Sequence, residues 1–226
     1  AYHRFWPYLS GLYSYNPNTG KIRSGSKRVS KPGEKRLQIL QALAAMLEDP
    51  QGEKITTAAL AGHLGCSEAA LYRHFASKAQ MYEGLIEFIE SSLFGLINQI
   101  SSEEAQGLQQ VEQILAMLLN FARRNRGMTK VLIGDALVNE NERLQLRINQ
   151  LHEKLEAAIK QALRVAATQE QISNEADFSA LANILLCYVV GRWLQYAKSG
   201  FTREPTANWA QQWPMLCVTC LSQRKA

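Results

Sequence analysis

Residues 55–78 read ITTAALAGHLGCSEAALYRHFASK, and this stretch decides the fold. A short apolar-periodic run extends from Thr56 and Thr57 to Leu64, with a threonine placed to cap its first turn. In Gly65-Cys66-Ser67 the glycine supplies the left-handed backbone that ends one helix, and Ser67 caps the next. Glu68 to Phe75 forms that next helix, and Ser77-Lys78-Ala79-Gln80 has the capping-box spacing that opens a longer one. Two short helices joined by a glycine bend match the helix-turn-helix unit. Leu60, Leu64, Leu71 and Phe75 make its inner face, while Ala59, Ala61, Gly62, Ala69 and Ala70 are small enough for close helix contact. Ser67, Glu68, Tyr72, Arg73 and His74 then face outward on a helix that the ~12 Å major groove of DNA admits.

Upstream of this unit, Leu37, Leu40, Leu43, Ala44 and Leu47 recur at helical spacing, predicting a helix from Glu34 that stops before Pro50. Downstream, the periodicity predicts helices over residues 78–100 and 103–124, with a break near Asn125-Arg126-Gly127. Further helices follow over 128–137, from Leu144 to Ala166, over 175–198 and over 206–222. Strand alternation and internal repeats are both missing from the pattern. The expected fold is all-α with about nine helices: an extension over residues 1–33, a helix-turn-helix domain over 34–79 and a helical body over 80–226.

Composition narrows the function classes. Of 226 residues, 46% are hydrophobic, enough for a sizeable core, yet no run approaches the ~18 consecutive apolar residues of a membrane span. An integral membrane protein is therefore not expected, and the first ten residues carry no secretory signal pattern. Four cysteines are too few for a disulfide framework, which points to a reducing, cytoplasmic setting. The net charge of +5 is unevenly placed: residues 1–36 are net +7 and the remainder net −2. Such a basic arm suits a polyanion, and equally a solvated tail without a role. Tyr2, Phe5, Trp6, Tyr8, Tyr13 and Tyr15 add an aromatic cluster that fits a sticky arm or a functionless extension alike.

Catalytic patterns do not emerge. His3, His63, His74 and His152 are scattered, and the chain has no glycine-rich phosphate loop, no G-x-S-x-G and no H-E-x-x-H. Cys217-x-x-Cys220 lacks a second Cys or His pair, so two helical thiols are the simpler account than zinc. No enzyme, cofactor or metal is expected. Tyr72 and His74 also fit ordinary exposed positions, and alanine-rich helix pairs occur in folds that never meet DNA.

The run from Leu37 to Met81, with Leu71-Tyr72-Arg73-His74-Phe75 followed by Ser77-Lys78, resembles the amino-terminal domain of the TetR family of DNA-binding regulators. SEAALYRHF, GLIEFIE at residues 84–90, Arg147-Ile148-Asn149-Gln150-Leu151, Arg203 to Pro205, and Trp213-Pro214 are similar to its nucleoid occlusion branch. That likeness extends from about Leu37 to Leu221. It implies that Thr56, Thr57, Tyr72, His74 and Lys78 hold phosphates, with Arg73 beside them, and that Ser67, Glu68 and Ala69 face base edges. Hydroxyls, imidazole and ammonium are suitable phosphate donors, and such contacts set register while base contacts set sequence. Glu68 suits either cytosine N4 or the positive end of the helix dipole. Ala76 departs from the branch, whose members carry proline there.

A single head reads few base pairs, so a homodimer on a palindromic site is expected, and the resemblance admits more than one dimer per site. Phe178, Leu181, Leu185, Tyr188 and Val189 form an apolar stripe, with Ile184 and Leu194 beside it, and Trp209, Trp213 and Leu216 lie on the last helix. These residues are expected at a two-fold interface, although a monomeric core would use the same ones. The resemblance further implies a groove between the fourth and fifth helices that receives the C-terminal tail of the division GTPase FtsZ. Its matching positions are Phe88, Met117, Asn120, Arg124 and Asn125, where Asn120 is bulkier than the branch's small residue. The implied function is nucleoid occlusion: the dimer binds palindromic double-stranded DNA in the cytoplasm and inhibits division-ring assembly over the nucleoid. A ligand-responsive TetR-type repressor and a structural helical protein are the alternatives, and a body filled with leucine and alanine argues against a ligand cavity.

Overall fold

The computed structural model describes residues 32–49 and 55–218. The basic, aromatic segment 1–31, the loop at Pro50 and Cys220 lie outside the described residues. Nine α-helices are present among the described residues: α1 (Pro32–Leu47), α2 (Thr57–His63), α3 (Glu68–Tyr72), α4 (Lys78–Glu103), α5 (Gly107–Arg124), α6 (Arg126–Leu132), α7 (Glu142–Thr168), α8 (Phe178–Lys198) and α9 (Trp209–Leu216). A 3-10 turn, Asp135–Leu137, separates α6 from α7.

Local chemistry sets the helix ends. Thr56 caps α2 by accepting from the Ala59 N–H at 3.1 Å, Ser67 caps α3 through Ala70 at 3.3 Å, and Ser77 caps α4 through Gln80 at 3.2 Å. Gly65 adopts φ +63, the left-handed bend required between α2 and α3. The Ala76 N–H donates to Gln80 Oε1 at 2.9 Å, so a hydrogen bond fixes the bend into α4. The first N–H groups of α5 have no cap from Gln106. They are satisfied instead from the α7–α8 connection, Gly107 by Gln169 Oε1 and Leu108 by Gln171 Oε1, each at 2.8 Å.

Leu60, Leu71 and Phe75 are buried against Leu43 and Leu47 of α1 and Met81 and Leu85 of α4, while Leu64 is half-buried. The same core continues through Ile89, Leu93 and Ile97 into the body, where α7 packs on α4, α5 and α8. Head and body thus share one core within the unit Gly33–Ala226.

One helix boundary differs from the expected pattern. The break after α5 falls at Asn125 alone, and Gly127 lies inside α6. A Cβ at Gly127 would stand 1.9 Å from the Ala44 carbonyl oxygen, so the glycine marks backbone contact between α6 and α1. Helix α8 is long and apolar enough, by length and composition, to cross a membrane. Ser179, Asn183, Arg192 and Gln195 interrupt it, so the expectation of no ~18-residue consecutive apolar run stands. Within the fold this helix packs on α5 and α7, and its Arg192 donates to the carbonyls of Glu204 (2.9 Å), Pro205 (3.1 Å) and Ala207 (3.0 Å).

The expected interface stripe on α8 also turns inward. Leu181, Leu185 and Val189 are buried in the chain's own core, and Phe178 and Tyr188 are half-buried. Tyr188 donates to Gln212 at 2.6 Å and packs on Trp209, which stacks on the buried Trp213, so these three rings bind α9 to its own body. The outward stripe is instead Ala180, Ile184, Cys187, Gly191 and Leu194, spaced 4-3-4-3, with Ile184 48% and Leu194 45% exposed. Met215 and Val218 are exposed apolar residues near the end of the described segment.

Gly127→Ala is expected to lower the urea midpoint without changing the slope of the transition, by about 1–3 kcal/mol of overpacking. An unaltered midpoint would contradict the α1–α6 contact.

Candidate nucleic-acid interface

The exposed surface of the head is built by α3 and the start of α2. Ser67, Glu68, Ala69, Tyr72 and Arg73 are exposed, as is Thr56, whereas Thr57, His74 and Lys78 are half-buried. Because Thr56 and Ser67 accept backbone N–H groups, their hydroxyl protons are still free to be donated outward. His63 is exposed and lies away from the bonded cluster described next.

Thr57, Glu68 and Tyr72 form one network. Thr57 Oγ1 donates to Glu68 Oε2 at 2.5 Å, and the Tyr72 hydroxyl approaches Thr57 Oγ1 at 3.5 Å. Glu68 therefore ties the recognition helix to the start of α2, and only its second oxygen stays available to a base. Its place in the first turn of α3 also favours the helix dipole. Tyr72 remains 46% exposed, the largest apolar surface on the head, with its hydroxyl at the α2–α3 seam.

Helix α3 stops at Tyr72, three residues before the expected end. The Leu71 carbonyl accepts from both His74 (2.9 Å) and Phe75 (3.1 Å), closing the helix in a tight turn. Arg36 of α1 then donates to the His74 carbonyl at 3.0 Å and lies 4.2 Å from the centroid of the buried Phe75 ring. Sequence reading assigned Arg36 only to the basic arm. A residue thirty-eight positions away that seals the recognition helix leaves no local signature.

Lys78 opens α4 and pairs with Glu140 of the body at 2.5 Å. Its ammonium also lies 5.6 Å from the Tyr82 ring, and burial, reinforced by Glu140, pushes the Tyr82 phenol well above its ordinary range.

The expected partner residues divide. Met117, Asn120 and Arg124 recur along α5 at spacings of three and four and share one face. Arg124 is exposed, its guanidinium pKa lowered by burial and by neighbouring Arg123. The Asn120 amide donates to the Ala116 carbonyl at 2.9 Å. Asn125 is buried, with its amide on the Phe121 carbonyl at 2.8 Å, so it terminates α5 rather than facing outward. Phe88 lines a groove on the α1 side of α4, with Arg36, Leu37, Leu40 and Glu87.

An exposed recognition helix on an all-helical body defines a DNA-binding regulator of the TetR class. Residues 39–85 match the model for bacterial regulatory proteins of the tetR family, and residues 105–220 match a tetracyclin repressor-like C-terminal domain of SlmA-like type. The nucleoid occlusion factor SlmA of Alteromonas mediterranea is 51% identical over 81% of this chain and 94% of its own length. That of a Marinomonas species is 45% identical over 86% and 99%. The chain belongs to the SlmA family of nucleoid occlusion factors. A TetR transcription regulator from Haloarcula marismortui shares the fold at TM-score 0.72 and 16% identity, covering 84% of this chain and 100% of its own. The fatty acid degradation regulator FadR of Bacillus halodurans does so at 0.71 and 14%, covering 87% and 100%.

Tyr72→Ala is expected to weaken binding to specific and random duplexes by the same factor and, because a neutral phenol releases no counterion, to leave the slope of log K against log salt unchanged. Unchanged affinity for both duplexes in a fluorescence titration would remove Tyr72 from the phosphate contacts.

Proposed function

We propose that this protein binds palindromic chromosomal sites as a homodimer and, from the nucleoid, inhibits division-ring assembly by engaging the FtsZ tail. The observation that carries the reading is the coexistence of two surfaces on one compact unit. A recognition helix stands exposed at one end, and an unpaired apolar stripe runs along α8. Thr56, Thr57, Tyr72, Arg73, His74 and Lys78 supply the phosphate donors, and Ser67, Glu68 and Ala69 front the base edges. The second copy covers Ala180, Ile184, Cys187, Gly191 and Leu194, because their 4-3-4-3 spacing is that of a helix–helix seam and Gly191 leaves room for a facing helix.

For the partner, Met117, Asn120 and Arg124 offer apolar surface beside a cation, suited to a short peptide that mixes acidic and apolar residues. Phe88 belongs to an adjoining α1–α4 surface, and Asn125 supports the face from within.

A groove of about 490 Å³ between α4, α5 and α7 bears on the ligand-responsive alternative. It is larger than a body filled with leucine and alanine was expected to leave. Asn98, Ser101 and Gln161 also line it, while two of its polar groups are committed to the chain: the Gln110 amide donates to the Glu104 carbonyl at 2.7 Å, and Lys154 pairs with Glu90. Groups that converge on an absent ligand are the usual mark of a binding cavity, and those two do not.

Leu194→Glu is expected to shift the protein from dimer to monomer in sedimentation, with palindrome binding lost and the helical circular dichroism kept. A dimer that survives would move the interface elsewhere. Co-sedimentation with FtsZ polymers tests the function itself: recovery in the pellet is expected to rise when the cognate duplex is added. Arg124→Glu is expected to abolish that recovery and leave DNA binding intact; equal recovery of wild type and variant would remove the α5 face.

A further inference from the structure

Lys78 is claimed from two sides. As the first residue of α4 it belongs to the head, and under the reading above it holds a DNA phosphate. In this structure its ammonium is held by Glu140, 2.5 Å away, with side-chain exposures of 22% for the lysine and 11% for the glutamate. Glu140 comes from the body, in the connection between the 3-10 turn and α7.

That connection is a firm corner. Asn139 adopts φ +63, the Glu140 N–H donates to the Leu137 carbonyl at 3.0 Å, and Asn141 caps α7 through Arg143 at 3.0 Å. Upstream of it, Asp135 at the start of the 3-10 turn pairs with Lys198 in the last turn of α8. The carboxylate is therefore presented to Lys78 by ordered backbone. Two anions drawn to one ammonium repel each other, and the screening that softens such repulsion at a free surface is weaker where the carboxylate is mostly buried.

We propose that Glu140 is an intramolecular competitor of DNA: its carboxylate occupies the Lys78 ammonium in the free protein and is displaced when a backbone phosphate arrives. The proposal rests on the DNA-binding reading of the head and adds a positioning residue to it. Glu140 touches no DNA and acts through Lys78. Phosphates are the same at every sequence, so the competition lowers affinity for all duplexes alike and leaves discrimination between them untouched.

The test is duplex binding by the full-length chain at fixed salt, on a palindromic and a random duplex. Glu140→Gln is expected to tighten both by about threefold to fivefold, the range set by a partly exposed ion pair. Glu142→Gln, which removes an exposed acid two residues away, controls for net charge and is expected to gain less. In a Lys78→Ala background the advantage of Glu140→Gln over Glu142→Gln is expected to vanish. Glu140→Asp, which withdraws the carboxylate by one methylene, carries the same expectation should the amide variant fold poorly. Glu140→Gln binding no tighter than Glu142→Gln, or weaker than wild type, would overturn the competition while leaving the DNA interface standing. Wild-type affinity in Lys78→Ala would instead show that Lys78 holds no phosphate, and the competition would fall with it.

Discussion

The backbone contact between Gly127 and Ala44 governs where the head stands. With the space of a methyl group denied at Gly127, α6 crosses α1 at backbone distance, and α1 carries much else. Its Leu43 and Leu47 cover the head core, and its Arg36 seals the end of the recognition helix through the His74 carbonyl and the Phe75 ring. The orientation of α3 is thus inherited from a glycine more than fifty residues away in sequence. Helix α4 is the second tie, since its Met81, Tyr82 and Leu85 belong to the head core and its Leu93 and Ile97 to the body.

The parts of this arrangement that were legible in the sequence are those decided within one helical turn. Thr56, Ser67, Ser77 and Gly65 act on neighbours two to four residues away, so their roles follow from residue type and spacing. What was not legible depends on distant partners. Phe75 lies outside α3 because its N–H and that of His74 converge on Leu71, an ending that Arg36 braces from α1. The face of α8 was misassigned for another reason. A helix apolar on nearly all sides has no periodicity from which to choose, and only the packing of α5, α7 and α9 shows which stripe is already covered. Asn125, similarly, has the residue type of a recognition surface and the position of a helix terminator, and its buried amide decides between them.

Charge shows the same dependence on context. Counting cations near the helix-turn-helix suggests a head ready to neutralise several phosphates, yet two of those cations are committed inside the fold. Arg36 is spent on a carbonyl and an aromatic ring, and Lys78 on a carboxylate. Arg73 stands exposed on the recognition surface. The hydroxyls of Thr56 and Ser67 keep their protons for outward donation even while capping, so under the proposed reading Thr56 serves a phosphate and Ser67 a base edge as neutral donors.

These constraints bear directly on how a two-fold assembly would read DNA. Half-sites on a duplex recur about 34 Å apart, one helical turn, and two recognition helices meet both only when their separation is held. A flexible linker between head and body would leave that separation to chance. Here no linker intervenes, because α1, α4 and α6 join the head to the body through one continuous core. In the proposed dimer the remaining freedom lies in the α8 seam, and a seam with Gly191 near its middle and Ile184 and Leu194 on either side brings the helices close along a defined line. The spacing that selects a palindrome is then a property of side-chain packing far from the DNA.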